Sequence, residues 1–336
     1  MVKVFFTSVG NVETDGFIRD KVRRFPGIAF VELPDCDVVF VSWTWRPNFV
    51  ADIALIERIL HSGRPVVVFD YLECHFCYEM LMTYMEKWVA SLLPYAPLAA
   101  LEPAIKLYFK REYQPAKLPA LSFPIVPTDF IGDYYPGYDD LQPQAEFNAR
   151  PIDVFMSYGY SSCDRAMLHA ELLRKHHHPA HMAMTVPDLE YTLERGTQHI
   201  YAILYTPHYR RHPITEILRY QSMAKLSVCL RGAADKCFRH AESAYNSVMA
   251  MQQTDSQFAF PWNAENCLTL PNLAQPQLNP PCRLDVVKAA TALNTSLATD
   301  LYPVYAAGFQ NSKHYIAENY IRDYWVPLLQ QHGVWP

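Results

Sequence analysis

Residues 51–70 read ADIALIERILHSGRPVVVFD, and this stretch decides the fold. Ile53, Leu55, Ile56, Ile59 and Leu60 recur at helical spacing, so Ala51–Ser62 is a helix with one apolar face. Gly63 ends it, Arg64-Pro65 redirects the chain, and Val66–Asp70 is an apolar run closed by an acid. A strand without polar alternation is covered on both faces, as central strands of parallel sheets are. Helix, turn and buried strand make one repeat of an α/β alternation.

The flanking sequence supplies more repeats. Lys3–Val9, Ala29–Leu33 and Val38–Ser42 read as strands, with a surface helix over Phe17–Phe25. Lys106–Glu112 and Phe123–Pro127 read as two further strands. Residues 129–151 are rich in Asp, Tyr, Pro, Gly and Gln, lack periodicity and read as a linker. A second alternation follows, with strands at Ile152–Ser157, Tyr201–Tyr205 and Leu226–Leu230. Its helices are expected at Asp164–His176, Ile214–Ala224 and Phe238–Met251, and Asp285–Gln331 is mostly helical. The fold class is α/β, with two doubly wound parallel domains at 1–150 and 151–305 and C-terminal helices at 306–336. Such pairs bind ligands in the cleft between them, at the carboxyl ends of strands.

Composition agrees. At 336 residues the chain exceeds the ~250–300 that one core usually serves. Half the residues are apolar and 19% are charged, as in a globular protein. Glycine is scarce, 11 residues against 26 prolines, and no two glycines lie closer than five positions. A G-x-G-x-x-G fingerprint is therefore excluded. The P-loop also fails, because Gly137 is followed by Tyr138-Asp139 rather than Lys and Ser/Thr. The net charge of −5 implies no general nucleic-acid binder. No apolar stretch reaches the ~18 residues of a membrane span, and the eight scattered cysteines read as free thiols, so the expected location is cytoplasmic.

The strongest local signal lies in residues 205–240. Seven Lys/Arg (Arg210, Arg211, Arg219, Lys225, Arg231, Lys236, Arg239) face two acids, Glu216 and Asp235. The apolar strand Leu226–Leu230 opens onto Arg231-Gly232, then a loop with Lys236, then a helix start. Guanidinium and ammonium groups with free helix N–H groups make an anion site without a glycine-rich loop. Glu242, three residues after Arg239, suits ribose hydroxyls beside a phosphate site. The pieces suggest a nucleoside diphosphate; a solvated basic surface with a helix salt bridge is the plainer alternative.

The run Ala224-Lys225-Leu226-Ser227-Val228-Cys229-Leu230-Arg231-Gly232, then Arg239-His240-Ala241-Glu242, resembles the donor-site segment of exostosin-like glycosyltransferases of the GT-B fold. The clear match spans about 20 residues. The resemblance implies two Rossmann-like domains facing across a cleft, a donor site in the second, and C-terminal helices crossing back to the first. It implies that Arg231, Lys236 and Arg239 face the diphosphate and that Glu242 holds the ribose. Just downstream, the family's glycine-containing turn and apolar strand are replaced by Tyr245-Asn246-Ser247-Val248-Met249-Ala250-Met251.

Further candidates lie at other strand ends. Gly159 and Arg165 could contact phosphate or sugar, or form a plain strand–helix turn. Arg210 and Arg211 follow Tyr201–Tyr205, and one of them is expected to act. In the first domain, Asp70, Glu73 and His75 end the buried strand as candidate bases for an acceptor hydroxyl. Asp70 could equally be a cap or turn former. Asp15 is the rival base, and Gly10 would allow close ligand approach.

Other signals are weaker. Cys74-x-x-Cys77 lacks a second pair, Asp35-Cys36-Asp37 precedes a strand rather than ending one, and His176–His178 with His181 read as an exposed turn. Trp43 and Trp45 stack on a ligand or pack in the core. The expected function is transfer of a sugar, hexosyl or pentosyl, from a nucleotide sugar of the uridine diphosphate type to a hydroxyl acceptor. No cofactor or metal is required when cations stabilise the leaving diphosphate. The acceptor is a glycan, lipid or small molecule, or a hydroxymethylated pyrimidine in DNA as in phage enzymes of this build, for which the location would be the host cytoplasm. Arg19, Lys21, Arg23 and Arg24, with Lys106, Lys110 and Arg111, could track a DNA backbone. A non-catalytic nucleotide or sugar-phosphate binding protein is the alternative.

Overall fold

A computed structural model describes residues 1–9, 18–43, 49–71, 103–117, 122–132, 140–159, 163–175, 181–186, 189–195, 200–206, 213–231, 235–237, 239–278 and 281–336. The chain divides into two units, each built on a parallel sheet. Unit 1 is Met1–Phe130, Ser256–Ala259 and Ala317–Pro336; unit 2 is Ile131–Asp255 and Phe260–Ile316. Among the described residues no helix is long and apolar enough to cross a membrane.

Unit 1 contains β1 (Val2–Val9), β2 (Ile28–Phe30), β3 (Val38–Trp43), β4 (Val66–Asp70), β5 (Ile105–Lys110) and β6 (Ile125–Pro127). They pair in parallel in the order β2-β1-β3-β4-β5-β6. Helix α1 (Phe49–Ser62) joins β3 to β4 and stops at Gly63, whose φ of 65° a side chain rarely tolerates. Side chains alternate across the sheet. Val39, Val41, Val66 and Val68 meet Ile56 and Ile59 of α1. Phe40, Phe69 and Phe109 occupy the other face, where Trp325 lies 5.1 Å from Phe69 and 5.7 Å from Phe25. The Asp35-Cys36-Asp37 turn is structural: the Asp37 carboxylate accepts the Lys3 N–H.

Unit 2 contains α2 (Gln144–Asn148), β7 (Ile152–Gly159), α3 (Cys163–Lys175), β8 (His181–Val186), β9 (Leu189–Arg195) and β10 (Ile200–Thr206). Then come α4 (Ile214–Met223), β11 (Ala224–Cys229), α5 (Arg239–Asn246), β12 (Val248–Gln252) and β13 (Leu268–Leu270). A hairpin, β14 (Asn272–Leu278) and β15 (Pro281–Leu284), precedes α6 (Val286–Ser296) and α7 (Tyr302–Lys313). The sheet order is β13-β12-β11-β7-β10-β9-β8, parallel through β10 and antiparallel at β9 and β8.

The chain then returns to unit 1 as α8 (Ala317–Tyr320), a π-helical turn (Ile321–Trp325) and α9 (Val326–Gln331). Pro327 cannot donate to the carbonyl four residues back, and the Val326 N–H reaches Ile321 instead, widening the turn and aiming Trp325 at the sheet.

Three expectations change. The division falls at Phe130, not 150, because the expected linker is packed into unit 2: Phe147 is buried and stacks on Tyr305 at 4.7 Å. The same contact keeps α7 in unit 2, so the return to unit 1 begins at Ala317, not 306. The expected helix Phe238–Met251 stops at Asn246, and Val248–Gln252 is a fully buried strand. The Asn246 amide donates to the Glu242 carbonyl and the Ser247 hydroxyl to the Ser243 carbonyl, which ends the helix without a glycine.

Arg150 ties these pieces together. One guanidinium nitrogen donates to the carbonyls of Ala224, 2.6 Å, and Asn246, 2.7 Å. Its other nitrogens donate to Gln142, and the rings of Phe147 and Tyr305 lie 4.6 and 4.9 Å away. Burial lowers its pKa. Arg150→Met strands two carbonyls, so unfolding by urea should show a loss of about 2–4 kcal/mol. Arg23→Met, on a side chain 58% exposed, should stay within about 0.5 kcal/mol.

Candidate functional site

Unit 2 reverses its direction of growth at β7. The chain leaves β7 for β10 on one side and later lays β11 on the other. The crevice at the carboxyl ends of β7 and β11 is the switch point where α/β sheets bind ligands. It is lined by Ser157, Tyr158, Arg165, Cys229, Leu230 and Arg239.

Two guanidinium groups, of Arg165 and Arg239, line it, and Arg231 lies just past the end of β11. Arg165, in the first turn of α3, donates to the carbonyls of Leu230, 3.0 Å, and Arg231, 2.9 Å. Burial lowers its pKa, and neighbouring Arg239 adds to this. Arg239 opens α5 and donates to the Ser157 carbonyl at the end of β7. The Arg231 backbone N–H donates to Gln252, 3.2 Å, while its guanidinium sits 4.0 Å from both Asp164 and Asp235.

Asp164 is the brace. Its carboxylate accepts from the N–H groups of Arg283, 2.7 Å, and Leu284, 3.0 Å, and from Gln252, 3.1 Å. Burial alone would raise its pKa, but these bonds and one from Cys282 outweigh it and hold the carboxyl low. Gln252 thus links β12, α3 and the backbone of Arg231. Sequence reading missed Asp164 and Gln252, since neither belongs to a motif; an acid in a helix first turn beside a strand end was the available hint.

Glu242 lies in the first turn of α5, half-buried. Burial pushes its carboxyl up to about 7, against the pull of Arg239. Near neutral pH it is therefore partly protonated, and the cations dominate the crevice.

The remaining expectations divide. Arg165 and Arg239 line the crevice, Arg231 lies just past β11, Glu242 sits in the first turn of α5 near Arg239, and Gly159 closes β7. Lys236 is buried, 3% exposed, so it does not face a solvent-borne phosphate. Asp70 is not available as a base. It is wholly buried, one oxygen 3.2 Å from Lys110 Nζ and the other accepting from Tyr108 Oη at 2.5 Å. Burial likewise removes Lys21, Lys110 and Arg111 from any surface that tracks DNA; Arg111 pairs with Glu112 at 3.0 Å. Gly10, Asp15, Glu73, His75, Cys74, Cys77, Trp45, Arg210, Arg211, Gly232 and His176–His178 lie outside the described residues.

No protein-family model matches the chain, and no curated protein does. Solved structures are similar in outline. One is an alpha,alpha-trehalose-phosphate synthase (UDP-forming) from Burkholderia vietnamiensis, 11% identical over 95% of this chain and 79% of its own, with a TM-score of 0.48. Another, a trehalose-6-phosphate synthase, is 10% identical over 94% and 77%, with a TM-score of 0.49.

Two measurements check these assignments. Asp70→Asn should lower stability by about 3–5 kcal/mol, because it leaves the buried Lys110 ammonium without its charge partner; a merely catalytic acid would leave the melting temperature unchanged. Glu242 binds its proton more tightly folded than unfolded, so its contribution is full below pH 4.5 and is lost as pH rises through about 7. Glu242→Gln should therefore melt progressively higher than wild type across that interval.

Proposed function

We propose that the switch-point crevice binds the diphosphate of a nucleotide sugar, of the uridine diphosphate type, and that the protein is a GT-B glycosyltransferase. One observation carries the reading: Arg165 and Arg239 line the crevice at the carboxyl ends of the adjacent parallel strands β7 and β11, with Arg231 just past β11 and the half-buried Glu242 in the first turn of α5. Two doubly wound units, with the final segment returning to the first, are also what the exostosin-like resemblance implies.

In the transfer, the bond between the anomeric carbon and the diphosphate oxygen breaks as the acceptor hydroxyl bonds that carbon, and the hydroxyl proton passes to a base. The arginines meet the charge growing on the leaving diphosphate, a task that fixed cations perform without reorganising. Glu242 suits the ribose hydroxyls. Lys236, being buried, has no part in this version of the site. The acceptor is a hydroxyl compound, and burial of three of the seven candidate DNA-tracking cations favours a small or glycan acceptor. Loss of Asp70 as a base keeps one other reading in play, a donor-binding protein without transfer.

The test is a thermal-shift series with nucleotides and nucleotide sugars. A specific donor at 100 times its Kd adds about 2.7 kcal/mol to stability. Arg231→Gln combined with Arg239→Gln should abolish that shift, and a chain that no nucleotide stabilises ends the donor reading. A shift without release or transfer of sugar selects the non-catalytic alternative.

A further inference from the structure

Beside the arginines, the described residues hold a group of three metal-capable side chains: Cys229 at the end of β11, Cys237 just before α5, and His240 in its first turn. Cys229 Sγ lies 3.7 Å from Cys237 Sγ, and Cys237 Sγ lies 3.7 Å from His240 Nδ1. The three ligand atoms all fall within 4.8 Å of one another. A tetrahedral ion bound at ~2.3 Å to sulfur and ~2.0 Å to nitrogen holds its ligands ~3.5–3.8 Å apart. The Cys229–Cys237 and Cys237–His240 spacings match that of a coordination sphere, and binding would exchange the contacts of His240 Nδ1 with the Cys237 backbone for the ion.

We propose that Cys229, Cys237 and His240 bind a divalent ion of the zinc type, with water completing the fourth position. Two thiolates and an imidazole are the donors such an ion prefers. The two thiolates balance its charge, so it adds no repulsion to Arg165 and Arg239 nearby. The site joins the end of β11 to the start of α5 across the segment that carries Arg231 and precedes Arg239. An ion there would pin both arginine-bearing ends of that segment, a task for which other folds use a glycine-rich turn. It needs no donor nucleotide and fills in the free protein.

The experiment uses the full chain, purified under reducing conditions, stripped with a chelator and titrated with Zn²⁺ against a chromophoric competitor, then with Co²⁺. One equivalent of Zn²⁺ is expected. Co²⁺ should give thiolate-to-metal charge-transfer absorption and the visible bands of a tetrahedral site. Cys229→Ser and Cys237→Ser should each weaken Zn²⁺ binding on the order of 100-fold, while Cys36→Ser, at a buried thiol in unit 1, should not. Should those variants fail to fold, alkylation of wild-type protein decides the matter: Zn²⁺ must protect the peptides carrying Cys229 and Cys237. Binding well below one equivalent, a cobalt spectrum that survives Cys237→Ser, absence of protection, or a Cys229–Cys237 disulfide in the reduced preparation would each overturn the site.

Discussion

The guanidinium of Arg150 lies under the start of β11 and the end of α5, bonded to the Ala224 and Asn246 carbonyls at once. Those two residues bound the segment that carries Arg231, Cys237, Arg239 and Glu242. A buried cation is expensive unless its donors are spent, and here charge-assisted bonds to two carbonyls and to Gln142 spend them. The flanking rings of Phe147 and Tyr305 close the remaining faces with cation–π contact. Strand and helix are thereby fixed at the amino end of β11, and the loop at its carboxyl end is left to the ligand-facing side chains. A second tie is the 2.6 Å hydrogen bond between the hydroxyls of Ser247, just before β12, and Ser227 of β11.

At that carboxyl end the same economy recurs with acids. Asp164 gathers the N–H groups of Arg283 and Leu284 and the amide of Gln252, whose oxygen in turn accepts the Arg231 N–H. Arg165 and Arg239 spend donors on the carbonyls that end β11 and β7. Side chains thus do what a glycine-rich loop does elsewhere: they satisfy the strand-end backbone and leave positive charge in the crevice. The chain's few glycines go to other tasks. A Cβ at Gly308, in α7, would meet the Asn266 carbonyl oxygen at 2.7 Å, so that glycine serves close packing.

The sheet was legible wherever burial was two-sided and a helix separated the strands, as at Val66–Asp70, where expected and observed limits coincide. It was not legible at Val248–Gln252, because a short buried apolar run has the same pattern in a helix and in a central strand. The β8–β9 hairpin also escaped, although Pro187-Asp188 between its strands is turn chemistry. The site divided along a similar line. Charge counting found Arg231 and Arg239, but it could not tell exposed cations from Lys236, Lys110, Arg111 and Lys21, which are buried. Nor does position at a strand end reveal that Lys110, on the neighbouring strand, will claim Asp70. Cys229, Cys237 and His240 went unnoticed because C-x7-C-x2-H is not a familiar ligand spacing; only the return of the chain from strand to helix brings them together.

Glu242 joins the proton balance to the site's charge. Its carboxyl titrates near 7 because burial outweighs the attraction of Arg239. A diphosphate arriving in the crevice would add negative charge and draw on Arg239, removing part of that attraction. Both changes favour the protonated acid. On the sugar-nucleotide reading, the bound state would then present a neutral carboxyl to the ribose, able to donate one hydrogen bond and accept another from vicinal hydroxyls. An ionised carboxylate could only accept. Binding of the donor and proton uptake by Glu242 would accordingly be linked between the pH where the free acid titrates and the higher pH where the bound one does, and the linkage would vanish on either side.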